Sequence, residues 1–361
     1  MKGVTSQVAI LRTRPETVVE DYGRLMRLVK YEQLLPCDED VIVKLNLSWT
    51  KYFPACSSQP WQVDGVLATL LADGRDRARI FPVENKTVVT DPRRGAANNK
   101  WDGVLGRHGL PFLPLPEATW VVHRFRTPLL RLNQIFPEGI EIPAMFAGKR
   151  VLHLPTVKTH GHTTTTGAIK NAFGGLLKEV RHYAHEFIHE VMVDLLLMQR
   201  ELHPAVFAVM DGTVMGDGAG PRTMRPREGN IILASADQVA IDALAARIMG
   251  FDPLSIPYLR MCHERGLGTA DVRDIEVVGD AEAADLRMGF TTQRSLVIWG
   301  DQLIRRGPLR PFKRLLLHSP LAAWAPLASN VYHDVLWYPS VGRAHIRAFR
   351  ATPWGRLFDK Y

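Results

Sequence analysis

The sequence predicts an α/β fold: two lobes of mostly parallel sheets flanked by helices, followed by a basic, aromatic C-terminal extension. Short runs of aliphatic and β-branched residues alternate with longer segments of helical period through most of the chain. Such alternation is typical of parallel sheets with helices packed on their faces. A proline-rich connection separates two series of these segments, and the composition changes again beyond about residue 290.

The first lobe is assigned to residues 1–145. Its strands are predicted in the segments QVAILRT, EDVIVKLNLSW and RARIFPVE. Between them, PETVVEDYGRLMRLVKYEQLL opens with a proline suited to a first helical turn, and PWQVDGVLATLLADG is a helix that ends at Gly74. The proline-rich segments GLPFLPLPEATW and FPEGIEIPAMFAGKR connect this lobe to the next.

The second lobe is assigned to residues 146–290 and repeats the alternation. Strands are predicted in RVLHLPTV, AVFAVMDG, NIILASA and DIEVVG, and helices over 167–200 and 237–249. Asp237 is expected to cap the start of the second of these helices. Asp242, which lies among alanines, is expected to make a buried polar contact.

The composition is that of an ordinary globular protein, with 46% hydrophobic and 23% charged residues among 361. No stretch of about 18 uninterrupted apolar residues suggests a membrane span, and the N-terminal residues lack the apolar core of a signal peptide. Cys37, Cys56 and Cys262 are far apart and form no C-x-x-C pair, so neither a disulfide framework nor a cysteine-ligated iron–sulfur cluster is expected. A cytoplasmic location is the simplest expectation.

The third unit, residues 291–361, carries most of the net charge of +8. The last 61 residues contain ten Lys/Arg and three acidic residues, which gives +7 and leaves +1 for the rest. One interpretation is an arm that packs over the core with its cations in solvent. The other is a surface over residues 305–361 that rests peripherally on an anionic membrane, with Trp324, Trp337 and Trp354 as anchors. Nucleic acid is disfavoured as a partner, because no recognised binding module accompanies the charge.

The densest group of reactive side chains lies in LPTVKTHGHTTTTGAIKNAFGG, residues 154–175. We expect a strand to end near Val157 and a helix to begin near Gly167. The loop between them would offer hydroxyls, free N–H groups and the positive end of the helix dipole, which predicts an anion site over residues 158–171. The simpler alternative is a capping loop with solvated lysines. The candidate residues are Lys158, Thr166 and Asn171 for binding the anion, His160 and His162 for proton exchange, and Lys170 for both.

Four residues elsewhere are expected to reach the same cleft as substrate-binding groups. Lys44 and Asn46 alternate onto one face of the strand in VIVKLNLSW, near its end. Asp211 follows a strand in VMDGTVMGDGAGPR, where open α/β sheets usually present functional groups, and Asp217 lies farther out in that glycine-rich loop. The two aspartates are expected to orient a histidine or to hold a cation.

A histidine-rich segment, YAHEFIHEV, contains His185-Glu186-x-x-His189, the spacing of zinc peptidases. His182, His185 and His189, at i, i+3 and i+7, would share one stripe of a helix. His185 is the candidate to complete a catalytic or metal site with His160. A third zinc ligand is missing, because the positions that a metzincin would use fall in EVMVDLLL and hold neither required residue. A zinc peptidase is therefore only a minor alternative.

These segments also carry a family resemblance. VKLN, KTH followed by TGAIKNAFGG, VMDGTVMGDGAGPR and ASADQVAIDALAARIMG resemble, in order, the signature blocks of the domain of unknown function 362 family, over roughly residues 40–280. The family has no settled general activity, and the iron–sulfur segments of some members need cysteines that this chain lacks. The histidine and lysine loop followed by G-x-x-K-N is also distantly similar to lactate racemase and its relatives. That resemblance implies a nickel-bearing nucleotide between two α/β lobes and histidines that transfer protons.

The residues and the resemblance together predict an enzyme that acts on a small anionic substrate, or with an anionic cofactor, at residues 158–171. The expected reaction is isomerase-like proton transfer by His160, His162, His185 and Lys170. A divalent metal at His160 and His185, or a metal-bearing nucleotide, would assist it. Two other function classes remain: a redox enzyme or electron-transfer partner of iron–sulfur proteins, and a non-enzymatic ligand-binding or membrane-recruited accessory protein.

Overall fold

The computed structural model describes residues 6–87, 89–178, 184–293, 295–305, 307–308, 311 and 324–361. The described strands are β1 Ser6–Arg12, β2 Val41–Lys44, β3 Ile80–Glu84, β4 Leu113–Pro114, β5 Trp120–His123, β6 Ile140–Pro143, β7 Arg150–His153, β8 Thr156–His160, β9 Thr164–Thr166, β10 Val206–Ala219, β11 Thr223–Ser235 and β12 Ile275–Gly279. β5 and β6 form a separate antiparallel pair. The other ten strands form one sheet in the order β12-β1-β11-β10-β7-β2-β3-β4, with β8 paired to β10 and β9.

Parallel pairing dominates this sheet. β12 pairs with β1, β10 with both β7 and β8, and β7, β2, β3 and β4 follow one another in parallel. The antiparallel pairs are β1 with β11, β10 with β11 and β8 with β9. The predicted α/β class, with a mostly parallel sheet flanked by helices, is confirmed. The arrangement differs from the predicted one in one respect, which is that strands from both predicted lobes join a single sheet. β2 of the first lobe pairs with β7 of the second, and β1 lies between β11 and β12.

Helices cover both faces of the sheet. They are α1 Val18–Leu28, α2 Tyr31–Leu34, α3 Pro60–Ala72, α4 Pro92–Asn98, α5 Trp101–His108, α6 Leu132–Ile135, α7 Ala168–Leu176, α8 Ile188–Leu202, α9 Gln238–Met249, α10 Pro257–Glu264, α11 Leu296–Arg305, α12 Trp324–Asn330, a π-helix Val331–Gly342, α13 Arg343–Arg350 and α14 Pro353–Lys360. The predicted helices over 167–200 and 237–249 correspond to α7, α8 and α9.

β1 shows how the sheet separates two hydrophobic cores. Val8 and Ile10 belong to one core and Ala9 and Leu11 to the other, because successive side chains of a strand point to opposite faces. The first core includes side chains of α7, α8, α9 and α10. The second includes side chains of α1, α3, α5 and α14. The sheet is therefore the middle layer of three.

The segment predicted as a loop after Val157 is a β-hairpin. The strand continues to His160 as β8 and the chain returns as β9, with Lys158 opposite Thr166 and Thr159 opposite Thr165. The threonines, interpreted from the sequence as loop hydroxyls, are β-branched residues that favour strands. The hairpin places Lys158 and His160 on a regular strand beside β10 instead of on an open loop.

The end of the C-terminal extension packs back onto the core. Trp354 is 1% exposed, its indole N–H donates to Asn230 Oδ1 at 2.7 Å, and its ring lies 5.3 Å from that of Trp61. Phe358 stacks on Tyr52 with ring centroids 3.8 Å apart. Trp354 is therefore a core residue, and the expectation that it anchors the protein in a membrane is wrong.

The other two expected anchors differ from each other. Trp337 is half-buried against Trp49 and Phe53, and the side chain of Trp324 lies outside the described part of the structure. Within the expected membrane surface, residues 306, 309, 310 and 312–323 also lie outside the described residues. Across the described ranges, no helix has the length and apolar character needed to cross a bilayer.

Helices α1 and α3 pack closely at Gly65. A Cβ at Gly65 would lie 2.8 Å from both Tyr22 Cδ2 and the Val19 carbonyl oxygen, whereas a Cβ at Gly106 on α5 meets nothing within 4 Å. Overpacking costs about 1–3 kcal/mol, and replacing a helical glycine with alanine gains up to about 1 kcal/mol. We therefore expect Gly65→Ala to lower the free energy of unfolding and Gly106→Ala to raise it, as measured by urea denaturation. Equal effects of the two substitutions would contradict the close packing of α1 on α3.

Candidate functional site

The ammonium group of Lys158 lies at the centre of the candidate site. Lys158 is 1% exposed, and its Nζ donates to Asn46 Oδ1 at 2.5 Å, the Thr156 hydroxyl at 2.7 Å and the Cys56 carbonyl at 2.8 Å. These three acceptors use all three ammonium protons, and burial lowers the pKa of Lys158 to about 8. Thr166, across the hairpin, donates its hydroxyl to the Lys158 carbonyl at 3.3 Å. The protein itself satisfies the group that the sequence assigned to an external anion.

A chain of amides and one imidazole continues from Asn46 into the core. Asn46 Nδ2 donates to Asn171 Oδ1 at 3.2 Å. Asn171 Nδ2 donates in turn to the Lys44 carbonyl at 3.0 Å and to His153 Nδ1 at 3.2 Å. Because His153 Nδ1 accepts, the proton of the ring lies on Nε2, which donates to Gln199 Oε1 at 2.7 Å. Burial lowers the pKa of His153 to about 3, so the ring is neutral near pH 7.

Lys44 takes part in a buried ion pair. Its Nζ donates to Glu84 Oε1 and to the Leu45 carbonyl, both at 2.6 Å, and the lysine and glutamate are 1% and 3% exposed. Gly175 on α7 leaves room for the lysine, since a Cβ there would lie 3.3 Å from Lys44 Cε. Lys44 and Asn46 thus lie in the same region, with the ammonium of Lys44 directed to Glu84, and their contact with a substrate stays a prediction.

Three histidine rings form a row beside the β8–β9 hairpin. The ring centroids of His160 and His162 are 5.8 Å apart, and those of His162 and His185 are 5.6 Å apart. The backbone N–H of His162 donates to His160 Nδ1 at 3.1 Å, which leaves the proton of a neutral His160 on Nε2. His160 is 5% exposed, and its pKa is well below the usual range because of burial and the nearby cation of Lys170. His162, in contrast, is half-buried.

Two residues of α7 extend this row. Phe173 meets the ring of His185 edge-on at 5.4 Å, and the Lys170 ammonium lies 5.4 Å from the Phe173 ring. Lys170 is half-buried. The structure therefore brings together the four residues that the sequence proposed as a catalytic group: His160, His162, His185 and Lys170. We call this set the histidine row.

The N-terminus of α7 is occupied by a carboxyl group from α9. Asp242 accepts from the backbone N–H of Ala168 at 2.6 Å and of Ile169 at 3.2 Å. The positive end of the helix dipole, expected to face an external anion, faces Asp242 instead. A Cβ at Gly167 would lie 2.1 Å from Asp242 Oδ1, so only glycine fits there. The predicted buried contact of Asp242 and the predicted cap by Asp237 are both confirmed.

The two candidate aspartates of β10 make their bonds away from Lys158. Asp211 is 0% exposed and accepts from the Tyr22 hydroxyl at 2.7 Å and the Trp61 indole at 3.0 Å, in the second core. Burial raises its pKa. Asp217 accepts from the Thr291 N–H at 2.9 Å, which fastens the start of the C-terminal extension to β10. Neither of these bonds places the aspartates at a histidine.

The H-E-x-x-H spacing does not lie on one α-helix. Residues 184–187 form a 3₁₀ turn and α8 begins at Ile188, so His185 and His189 do not share a face of a regular helix. His182, the third member of the expected stripe, lies outside the described residues. Among the residues that the structure describes, no group of three or more His, Cys, Asp or Glu side chains is placed to hold a metal ion. The structure therefore does not provide the helical pair of histidines that the zinc-peptidase alternative requires.

Sequence reasoning missed His153, Gln199 and Glu84. His153 interrupts the aliphatic strand RVLHLPTV, which is the same signal that singled out Lys44 on its strand. Gln199 follows the apolar run LLLM on α8 in the same way. Glu84 ends the strand next to β2. A polar residue within an apolar run was therefore the available signal, but its partner could be found only from the fold.

Comparisons with known proteins agree with the resemblance in the sequence. The model of the family described as domain of unknown function (DUF362) matches residues 41–247. A thylakoid-associated protein of Synechocystis sp. is 27% identical over 286 residues, which cover 78% of this chain and 79% of that protein. A crystal structure of a Thermotoga maritima protein aligns with a TM-score of 0.33 at 14% identity. The alignment covers 57% of this chain and 53% of that one, so this chain spans about half the length of that protein.

The buried carboxyl of Asp242 predicts a pH dependence of stability. Burial raises its pKa to about 7, above the value of about 3.9 expected for an unfolded chain. Between these values the folded protein holds a proton that the unfolded chain has released, so rising pH lowers the free energy of unfolding. We expect Asp242→Asn to remove this decrease in the free energy of unfolding, which is on the order of 2–4 kcal/mol between the two pKa values. Urea denaturation of both proteins from about pH 4 to pH 7 measures it; parallel stability curves would contradict the raised pKa.

Proposed function

Because the chain belongs to the domain of unknown function 362 family, whose name leaves the activity open, we propose its function from the histidine row. The proposal is an enzyme that binds a small carboxylate or phosphate anion beside Lys170 and exchanges a proton with it through His162. The observation that carries the proposal is that three imidazole rings lie next to one another in space: buried His160 beside half-buried His162, and His162 beside His185.

The chemistry of the row suits proton transfer. Imidazole exchanges protons near neutral pH, and the bond from the His162 N–H to His160 Nδ1 fixes the two residues relative to each other. Lys170 supplies the positive charge that attracts an anion. Lys158 does not serve this purpose, because its three protons are already donated within the protein. It supports the hairpin on which His160 lies.

In the proposed step, a C–H bond next to the carboxylate or the keto group of the substrate breaks, its electron pair stays on the substrate as an enolate, and the proton moves to a nitrogen of His162. The imidazolium of His162 then releases that proton to water, and the enolate takes a solvent proton at the carbon. A general base of this kind contributes about 10²–10⁴-fold to the rate. A metal held by His160 and His185, as the sequence suggests, would use two of the three imidazoles of the row. That stays a separate hypothesis, which metal analysis of the purified protein tests.

We expect the protein to exchange the α- or β-hydrogens of pyruvate, lactate or malate with deuterium in D₂O, as followed by NMR. His162→Gln should lower the exchange rate about 10²–10⁴-fold by removing the base. Lys170→Ala should raise KM more than it lowers kcat, because it removes charge attraction.

Two matched controls accompany this experiment. His123→Gln changes a histidine that lies 3.5 Å from Glu201, and Lys178→Ala changes a half-buried lysine paired with Glu141, so both should keep full exchange. No exchange on any of the three acids, or exchange that His162→Gln leaves unchanged, would overturn the proposal.

A second function, peripheral association with an anionic membrane, is supported by two observations. The name of the Synechocystis relative describes that protein as thylakoid-associated. In this chain the last 61 residues carry a net charge of +7, and Arg343, Arg347, Arg356 and Lys360 are exposed. Basic residues near a bilayer are attracted by anionic lipids.

We expect the full chain to float with phosphatidylglycerol-containing vesicles at low salt and to be released as salt increases, because salt screens the attraction. Vesicles of phosphatidylcholine alone are the control and should retain much less protein. Equal binding to both vesicle types, or none to either, would contradict association through the basic extension.

A further inference from the structure

An exposed aliphatic surface runs along the helix that follows residue 324. Leu327 is 64% exposed, Val331 42%, Val335 63%, Leu336 59% and Val341 45%. Apolar side chains of this size are usually covered in a water-soluble domain, and a contiguous exposed patch indicates an interaction site. We call these five residues the aliphatic stripe.

The π-helix places the stripe on one side. Hydrogen bonds in a π-helix join residues five apart, so residues separated by four or five positions lie close together on its surface. Leu327, Val331 and Val335 are spaced by four, and Val331, Leu336 and Val341 by five. The stripe is therefore continuous along the α12 helix and the π-helix.

The opposite side of the same helix faces the protein. His333 is 4% exposed, and Tyr338 meets Trp49 at 5.1 Å, while Trp337 lies 5.3 Å from Phe53. With its inner side fixed by these aromatic contacts, the helix cannot turn the stripe inward. The aliphatic side chains are held outward by the packing of the aromatic ones.

The charges near the stripe are positive. The helix continues without a break into α13, where Arg343 and Arg347 are exposed. Asp334 is the sole acidic residue from 302 to 358 in the sequence, and it accepts from the Trp49 indole at 2.6 Å and lies 3.9 Å from Lys51. A second copy of this chain would therefore bring no free carboxylate from this segment to the arginines, whereas anionic lipid headgroups would.

We infer that the aliphatic stripe is the face that inserts into the interface of an anionic bilayer, with Arg343 and Arg347 against the headgroups. The inference rests on the proposed membrane association and names the residues that make the contact. An interfacial helix binds through buried apolar area together with attraction to anionic lipid. Leucine and valine thus take the anchoring role that the sequence assigned to Trp354, which is buried.

The test compares two matched pairs of exposed aliphatic residues. Val335→Gln/Leu336→Gln changes the stripe, and Val121→Gln/Val122→Gln changes a pair on β5 that is 43% and 61% exposed. Flotation with phosphatidylglycerol-containing vesicles should show at least about tenfold weaker binding for the first variant and no change for the second. Arg343→Gln/Arg347→Gln should weaken binding about fivefold for each arginine. Thermal unfolding checks that all three variants remain folded.

The outcomes separate this inference from the one on which it rests. If the stripe variant binds like the full chain while the arginine variant does not, the protein associates with membranes by charge alone and the inference fails. If the full chain binds no vesicles, both fail. If sedimentation shows that the stripe variant loses a dimer without losing vesicle binding, the stripe is a contact between copies, and its assignment to the bilayer is overturned.

Discussion

The buried ammonium of Lys158 is the constraint on which the centre of the molecule depends. A charged group removed from water must be fully hydrogen-bonded, and no carboxylate is among its three acceptors. Those acceptors come from β8 itself, from the chain after β2 and from the turn at Cys56, so all three segments must meet at one point. Asn46 accepts from Lys158 with its amide oxygen and donates to Asn171 with its amide nitrogen, and Asn171 extends the constraint to α7.

The segments that carry the family resemblance meet around this point. The VKLN block provides Asn46, and the KNAFGG block provides Asn171. The glycine-rich block provides backbone acceptors, since the Thr159 hydroxyl donates to the carbonyl oxygens of Gly216 and Gly218 on β10. The last block provides Asp242, which holds the N-terminus of α7. Much of the polar character of these blocks therefore serves to hold them together, and in the histidine row His160 is buried while His162, His185 and Lys170 are half-buried.

The sequence predicts the class of the fold better than the contacts of the site. Alternating apolar and helical segments were sufficient to predict an α/β sheet with flanking helices. The cap by Asp237 and the buried contact of Asp242 could be predicted from their positions in a helix. The threonines at 163–166 fit a loop and a strand equally well, and only the pairing of Thr164–Thr166 with β8 places those three in a strand and leaves Thr163 in the turn. Two of the three acceptors of Lys158 lie 102 and 112 residues away in the sequence, beyond any spacing rule. The sequence already made the H-E-x-x-H spacing a minor alternative because a third ligand is missing, and the structure adds that the two histidines do not lie on one unbroken α-helix.

The C-terminal extension is coupled to the histidine row as well as to the proposed membrane face. Gln302 on α11 donates to the carbonyl of Gly161 at 3.4 Å, between His160 and His162, and Arg222 after β10 donates to the Ser329 hydroxyl at 2.8 Å. Truncating the extension would remove these bonds together with the basic charge and would expose the surface under Trp354. Loss of activity after truncation would therefore not distinguish a membrane role from support of the hairpin. Substitutions on the outward side of the helix leave both bonds intact, because the stripe and the arginines make neither of them.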